Sequence, residues 1–272
     1  MIQRVLTAAV GLPVLVAAVW WGGGWLTVLA AMAGVLGIRE FYRLLPSGAG
    51  SLPIALGAFW AAALIFGGQA SGPVSFLTIS AVILAAGVFL SLLWLIAVYQ
   101  GGRPLLALAY LLGGGVCIGF LLAHGVALRE LGGAGDLGRD WLLAALLAVF
   151  ATDTGAFFTG RAVGKHRMAP NVSPNKTWEG AAGGFCCAVI SVLAVGQILD
   201  LGIPVWQQAV VGASVGVASQ AGDLLESKLK RISSVKDTGS IIPGHGGIMD
   251  RLDSIVVSIP TVYYLVGAVF KP

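Results

Sequence analysis

The chain is 272 residues long, 57% hydrophobic and only 10% charged, with a mean hydropathy of +0.92. A soluble domain is about 45–50% apolar and about 25% charged, so too few polar side chains are present to solvate a globule of this size. A cytosolic enzyme, a disordered chain and a disulfide-stapled secreted domain are thereby excluded, and an all-α, polytopic membrane helical bundle is expected. The net charge is +4; its placement matters more than its size, and no nucleic-acid partner is expected. The 40 glycines are about twice the usual share, and in a membrane glycine lets helices approach closely. Cys117, Cys186 and Cys187 lie in apolar runs without metal-ligand spacing and are expected to be small core hydrophobes.

About 20 apolar residues cross roughly 30 Å of hydrocarbon. In chain order nine runs qualify: 4–21, 22–44, 51–68, 74–99, 104–129, 138–160, 177–199, 204–230 and 251–270. The first follows Arg4 as in a signal peptide, but further apolar runs succeed it, so a retained span is expected. Only Gly22-Gly23-Gly24 separates it from the second. With the N-terminus cytoplasmic, 13 of the 16 Lys and Arg residues fall on one side, leaving Arg129, Arg139 and Lys271 on the other. That asymmetry predicts a cytoplasmic N-terminus and an outer C-terminus; a bacterial cell membrane is the expected location.

Residues 1–130 carry their charge at span ends, where long side chains anchor at the interface, and read as a structural, lipid-facing region. Residues 131–272 read as the catalytic region, with two long cytoplasmic loops, 161–176 and 228–252, expected to lack regular structure and to be functional. His124, in mid-span, is expected to be a core group bonded to a backbone carbonyl. Gly180-x3-Gly184 and Gly212-x3-Gly216 predict close packing of the seventh and eighth spans against neighbours or a second subunit.

The acids of the C-terminal region are unusual for a membrane chain. Asp153 lies about seven residues inside the sixth span, roughly 10 Å deep, where a carboxylate costs about 2.5–3.5 kcal/mol unless paired or metal-bound. Asp223 and Glu226 share one helical face with Ser227 and Lys230. Asp250 and Asp253 flank Arg251 where the ninth span begins, at a helix N-terminus with free N–H groups. Carboxylates without His or Cys suit Mg²⁺, Mn²⁺ or Ca²⁺. Interleaved with Lys165, Lys176, Lys228, Lys230, Arg231, Lys236 and Arg251, they suit a metal–polyphosphate site. Gly244-His245-Gly246-Gly247 would let backbone N–H groups approach a phosphate, or would simply turn the chain.

The run Ser227-x-Leu229-Lys230-Arg231, Lys236-Asp237, Pro243-x-His245-Gly246-Gly247 and Asp250-Arg251-x-Asp253 closely resembles the signature of the phosphatidate cytidylyltransferases, the CDP-diacylglycerol synthases. Asp153-Thr-Gly-Ala-Phe157, Gly160-Arg161, Gly164-Lys165 and Ser173-Pro-Asn175-Lys176-Thr-Trp178-Glu179-Gly180 are similar to that family as well. The resemblance covers about residues 150–254; residues 1–130 match only in being apolar and multi-span.

It implies an enzyme that transfers the CMP moiety of CTP to phosphatidic acid, releasing pyrophosphate. It also implies Mg²⁺, potassium as a second cation, and a homodimer. Asp223, Asp250 and Asp253 would be the metal acids, with Lys230, Arg231, Lys236 and Arg251 beside them in catalysis. Asp153, Lys165, Asn175, Lys176, Glu179, Ser227, Asp237, His245, Gly246 and Gly247 would line the nucleotide and cofactor site. Alternatives are a lipid or polyprenol kinase, another CTP-dependent lipid cytidylyltransferase, an ion-coupled transporter with Asp153 and Asp223 in a cation path, and a membrane scaffold. A kinase acting on an alcohol needs a base that the sequence does not offer. Transporters often carry internal repeats, and none is evident.

Overall fold

The computed structural model describes residues 2–45, 51–70, 72–132, 136–241 and 246–270. Nine helices run through these described residues: α1 (Ile2–Trp21), α2 (Gly23–Arg43), α3 (Ile54–Gly67), α4 (Pro73–Ala97), α5 (Pro104–Arg129), α6 (Leu137–Val163), α7 (Trp178–Ile198), α8 (Val205–Ile232) and α9 (Met249–Phe270). The hinge expected between the first two runs is a single residue, Gly22, with φ 63°, a left-handed conformation that glycine adopts without steric cost. Arg129 reaches back to this break: its Nε donates to the Val19 carbonyl at 2.8 Å and its Nη2 to that of Trp20 at 3.3 Å. These are among the last carbonyls of α1, which have no partner within the helix. Pro73 and Pro104 open α4 and α5, where a missing N–H removes nothing the helix would use.

Six of the helices, α2, α4, α5, α6, α7 and α9, are long and apolar enough to cross a membrane. The apolar stretches Ala9–Trp21 of α1 and Ile54–Gly67 of α3 are shorter, and α8 carries Asp223, Glu226, Lys228, Lys230 and Arg231 in its last turns. Large apolar side chains such as Phe59, Val74, Ile96 and Leu105 point outward. Contiguous outward apolar surface of this kind marks a lipid-facing exterior. The molecule is an all-α membrane bundle.

The C-terminal helices pack through small residues. A Cβ at Gly184 of α7 would lie 2.7 Å from the Thr152 carbonyl oxygen of α6, and one at Gly212 of α8 would lie 2.7 Å from Val189 Cα of α7. Both small-x3-small patterns are thus used within the chain. Trp141, fully buried in α6, donates its indole N–H to the Leu201 carbonyl at 3.0 Å and fixes the connection entering α8. His124 is buried as expected: Nδ1–H donates to the Phe120 carbonyl at 2.8 Å, leaving Nε2 to accept from the Tyr264 hydroxyl at 3.1 Å.

Two expectations are corrected. The 161–176 loop is not structureless: β1 (Arg167–Ala169) pairs antiparallel with β2 (Ser173–Thr177), in register Arg167↔Thr177 and Ala169↔Ser173. Short polar strands can satisfy one another's backbone groups without any apolar pattern, which is why the sequence concealed them. Cys117 and Cys186 are exposed, not core, and only Cys187 is partly covered, beside Gly155. An apolar residue of a membrane helix can face lipid as well as core.

Candidate active site

Charge gathers at one end of the bundle, where α6 and α8 finish and α7 and α9 begin. A cavity of about 890 Å³ opens there. Its walls are apolar, from Leu12 and Leu15 of α1, Leu26 of α2, Leu122 of α5, Val149 and Phe150 of α6; its charged end holds Asp153, Asp223, Lys230, Asp237, Asp250, Arg251 and Asp253. Asp153 therefore faces the cavity instead of being packed between helices. It lies within electrostatic reach of Asp223 and Asp253, and of Lys176 and Arg251.

The acids fall into two groups. Asp223 forms an ion pair with Lys176 at 2.6 Å and accepts from the Ser227 hydroxyl at 3.4 Å. Asp253 accepts from the Ser254 N–H at 2.6 Å, and its carboxyl meets that of Glu226, which is buried. Asp250 turns the other way. Its Oδ1 takes Lys230 Nζ at 2.8 Å, and its Oδ2 accepts from the backbone N–H of Thr238 at 3.1 Å and of Gly247 at 2.8 Å. Lys230 joins the groups, since the same ammonium reaches Glu226 at 3.2 Å. Among the described residues no three His, Cys, Asp or Glu side chains converge closely enough to hold a metal ion. The donor chemistry nevertheless fits a hard divalent cation: Asp153, Asp223 and Asp253 bring only oxygen donors and like charge to one end of one cavity.

The hairpin reaches the charged end through the ion pair of Lys176 with Asp223. Thr177 caps α7, its hydroxyl oxygen accepting from Gly180 N–H at 3.1 Å, as an N-cap threonine does. The Glu179 carboxylate accepts from the backbone N–H of Lys165 and His166 and from His166 Nδ1, at 3.1, 3.2 and 2.6 Å. It thereby ties the start of the hairpin to α7. Arg231 Nε donates to the Val172 carbonyl at 3.2 Å and docks the hairpin on α8. The side chains of Lys165, Asn175 and Lys236 are exposed. Gly246 has φ 86° and Gly247 is buried, whereas His245 lies outside the described residues.

Sequence reasoning missed Glu40. It is only 1% exposed, and its Oε2 accepts from the Met249 N–H at 2.9 Å and from the Thr238 hydroxyl at 3.2 Å. The region read as chemically quiet therefore contributes to the charged end. The available signal was that Glu40 is the single acid among the first 129 residues. Its closeness to Arg39 and Arg43 made it look like an interfacial anchor.

The phosphatidate cytidylyltransferase of Staphylococcus saprophyticus is 44% identical to this chain over 128 residues, 47% of this chain and 49% of that protein. The protein of the same name from Bacillus subtilis is 38% identical over 152 residues, 56% of this chain and 55% of that protein. The chain thus spans about half the length of the curated relatives it matches. A broader match is to the sequence profile of the cytidylyltransferase family, over residues 2–269. Because that match takes in α1 through α9 as well as the motif-bearing loops, the chain belongs to the cytidylyltransferase family.

Proposed function

We propose that this protein transfers the CMP moiety of CTP to phosphatidic acid, giving CDP-diacylglycerol and pyrophosphate. The observation that carries this reading is the shape of the cavity: apolar walls among the membrane helices lead to acids and bases at one end. A lipid phosphate can enter along such walls with its acyl chains in hydrocarbon, while a nucleotide arrives from water. An oxygen of the lipid phosphate attacks the α-phosphorus of CTP; that P–O bond forms as the bond to the bridging oxygen breaks, and pyrophosphate leaves. The second pKa of a phosphomonoester is about 6, so the nucleophile is already ionised at neutral pH and needs no base. This agrees with a site rich in carboxylates and ammonium groups.

The residues act by position and charge. Lys176, Lys230 and Arg251 bring cationic charge to the cavity end, where two anions must meet. Asp223 and Asp253, with Asp153 alongside, would hold a divalent cation, Mg²⁺ in this reading with potassium as a second cation. Asp250 orients Lys230 and the backbone of Thr238 and Gly247. When bound, the divalent ion supplies Lewis-acid charge to the phosphates. Lys165, Asn175 and Glu179 on the hairpin, Arg231 and Ser227 on α8, and Lys236, Asp237, His245, Gly246 and Gly247 beyond it are proposed to surround the nucleotide.

Purified protein given CTP and phosphatidic acid should move cytidine label into lipid and release pyrophosphate only when Mg²⁺ is present. Transfer of the γ-phosphate to a lipid alcohol instead would replace this reading with the kinase.

The same reading includes nine crossings with the N-terminus in the cytoplasm, residues 131–272 as the catalytic region, and the site at the cytoplasmic face of the cell membrane. The distribution of Lys and Arg supports that orientation. A cysteine placed at position 272 should react with an impermeant maleimide added outside intact cells; protection there, with reaction only after lysis, would reverse the orientation. A homodimer is proposed on the family resemblance alone.

A further inference from the structure

The connection between α8 and α9 is held at the charged end at both Thr238 and Gly247. Two carboxylates hold these two points together. Asp250 takes the backbone N–H of both Thr238 and Gly247. From the opposite side Glu40 takes the Thr238 hydroxyl and the Met249 N–H. The approach is close enough to exclude side chains: a Cβ at Gly239 would lie 2.8 Å from Glu40 Cδ, and one at Gly247 would lie 2.7 Å from it. The connection is therefore cinched at a neck, and one of the two clasps belongs to α2. That helix carries none of the motifs around residues 150–254. A carboxylate only 1% exposed is costly to bury without hydrogen bonds, and both of those that Glu40 makes among the described residues go to this neck.

We propose that Glu40 is a positioning residue for cytidylyl transfer, closing the neck so that Thr238 and Gly247 are held at the charged end where the nucleotide binds. This rests on the function proposed above. Glu40 itself touches neither substrate; it acts through Thr238, Gly247 and Met249. With Asp250 alone holding Thr238 and Gly247, the neck would be looser and CTP would bind more weakly. The lipid-binding walls, built from other residues of α1, α2, α5 and α6, would not change.

The test uses the full chain in lipid nanodiscs, with Glu40→Ala, Glu40→Gln and Thr238→Val. A hydrogen bond to a charged group, once lost, corresponds to about a tenfold change. Glu40→Ala should therefore raise KM for CTP about tenfold or more and leave KM for phosphatidic acid unchanged. Glu40→Gln keeps an acceptor in place and should stay within about threefold. Thr238→Val should shift KM for CTP in the same direction, and adding it to Glu40→Ala should do no further harm. Deuterium exchange should rise across 238–249 in Glu40→Ala and not in Glu40→Gln.

Unchanged KM for CTP together with unchanged exchange in Glu40→Ala would overturn the proposal. So would a loss of kcat and thermal stability with both KM values intact, the mark of a purely structural role. If Glu40→Ala does not fold, Thr238→Val and Glu40→Gln decide by the same criteria. If the unaltered protein moves no cytidine into lipid, the function has failed on its own, and an exchange pattern confined to 238–249 still decides whether Glu40 holds the neck.

Discussion

Asp253→Asn is expected to lower cytidylyl transfer by at least about a hundredfold, the scale of losing one electrostatic group aimed at a reacting centre, while the protein stays folded. Asp253 lies at the cavity end with Asp153 and Asp223, and its carboxyl meets that of Glu226. Carboxylates so placed repel one another. An amide of the same size removes one charge from the group and can still accept the Ser254 N–H. The midpoint of thermal unfolding in detergent should therefore hold or rise as activity disappears. A carboxylate kept only for the fold would give the reverse, lower stability with residual activity. Near-normal turnover with an unaltered Mg²⁺ dependence would remove Asp253 from the metal set.

Lys230→Met should act on both stability and activity. The side chain is 15% exposed and bridges Asp250 and Glu226, whose side chains are 5% and 4% exposed. Removing one partner of a buried ion pair costs about 3–5 kcal/mol, because the charge left behind has neither water nor a counter-ion. Here two carboxylates lose the same cation, and a destabilisation of about 3 kcal/mol is the lower end of what is expected. Lys228→Met, two residues away on the exposed side of α8, is the control and should change unfolding little. Adding Glu226→Gln and Asp250→Asn to Lys230→Met should restore stability without restoring transfer, which separates the structural share of Lys230 from its part in the reaction. Equal denaturation curves for Lys230→Met and Lys228→Met would refute this account.

The helices were legible because apolar runs of this length have few alternatives. Even the break at Gly22 falls within the Gly22-Gly23-Gly24 hinge, and the helices that start at Pro73 and Pro104 match the runs expected from 74 and 104. The site was legible in part. Spacings of three and four on α8 put Asp223, Glu226, Ser227 and Lys230 on one face, and the structure keeps Ser227 on Asp223 and Lys230 on Glu226. Periodicity within a helix cannot say which way a carboxylate turns once helices meet. Hence the sequence could not show that Asp250, grouped by the motif with Asp223 and Asp253, turns its oxygens to Lys230 and to the N–H groups of Thr238 and Gly247. Nor does local pattern report a contact made over a long stretch of chain, and Glu40 was missed for that reason. The hairpin was hidden differently, since its strands are too short and too polar to carry an alternating signal.

The clasp between Glu40 and Met249 joins residues 209 positions apart, and this bears on how the protein is made. At about 5–20 residues per second, a ribosome needs roughly 10–40 s to pass from one to the other. Through that interval α2 has been delivered to the membrane with a carboxylate whose hydrogen-bonding partners have not yet been translated. At the middle of a helix this would oppose insertion by about 2.5–3.5 kcal/mol. Glu40 lies instead in the last turn of α2, flanked by the exposed Arg39 and Arg43, where headgroups and water can solvate it until the α8–α9 connection arrives. Forming the clasp then withdraws one acid from water and ties α2 to Thr238 and to the start of α9.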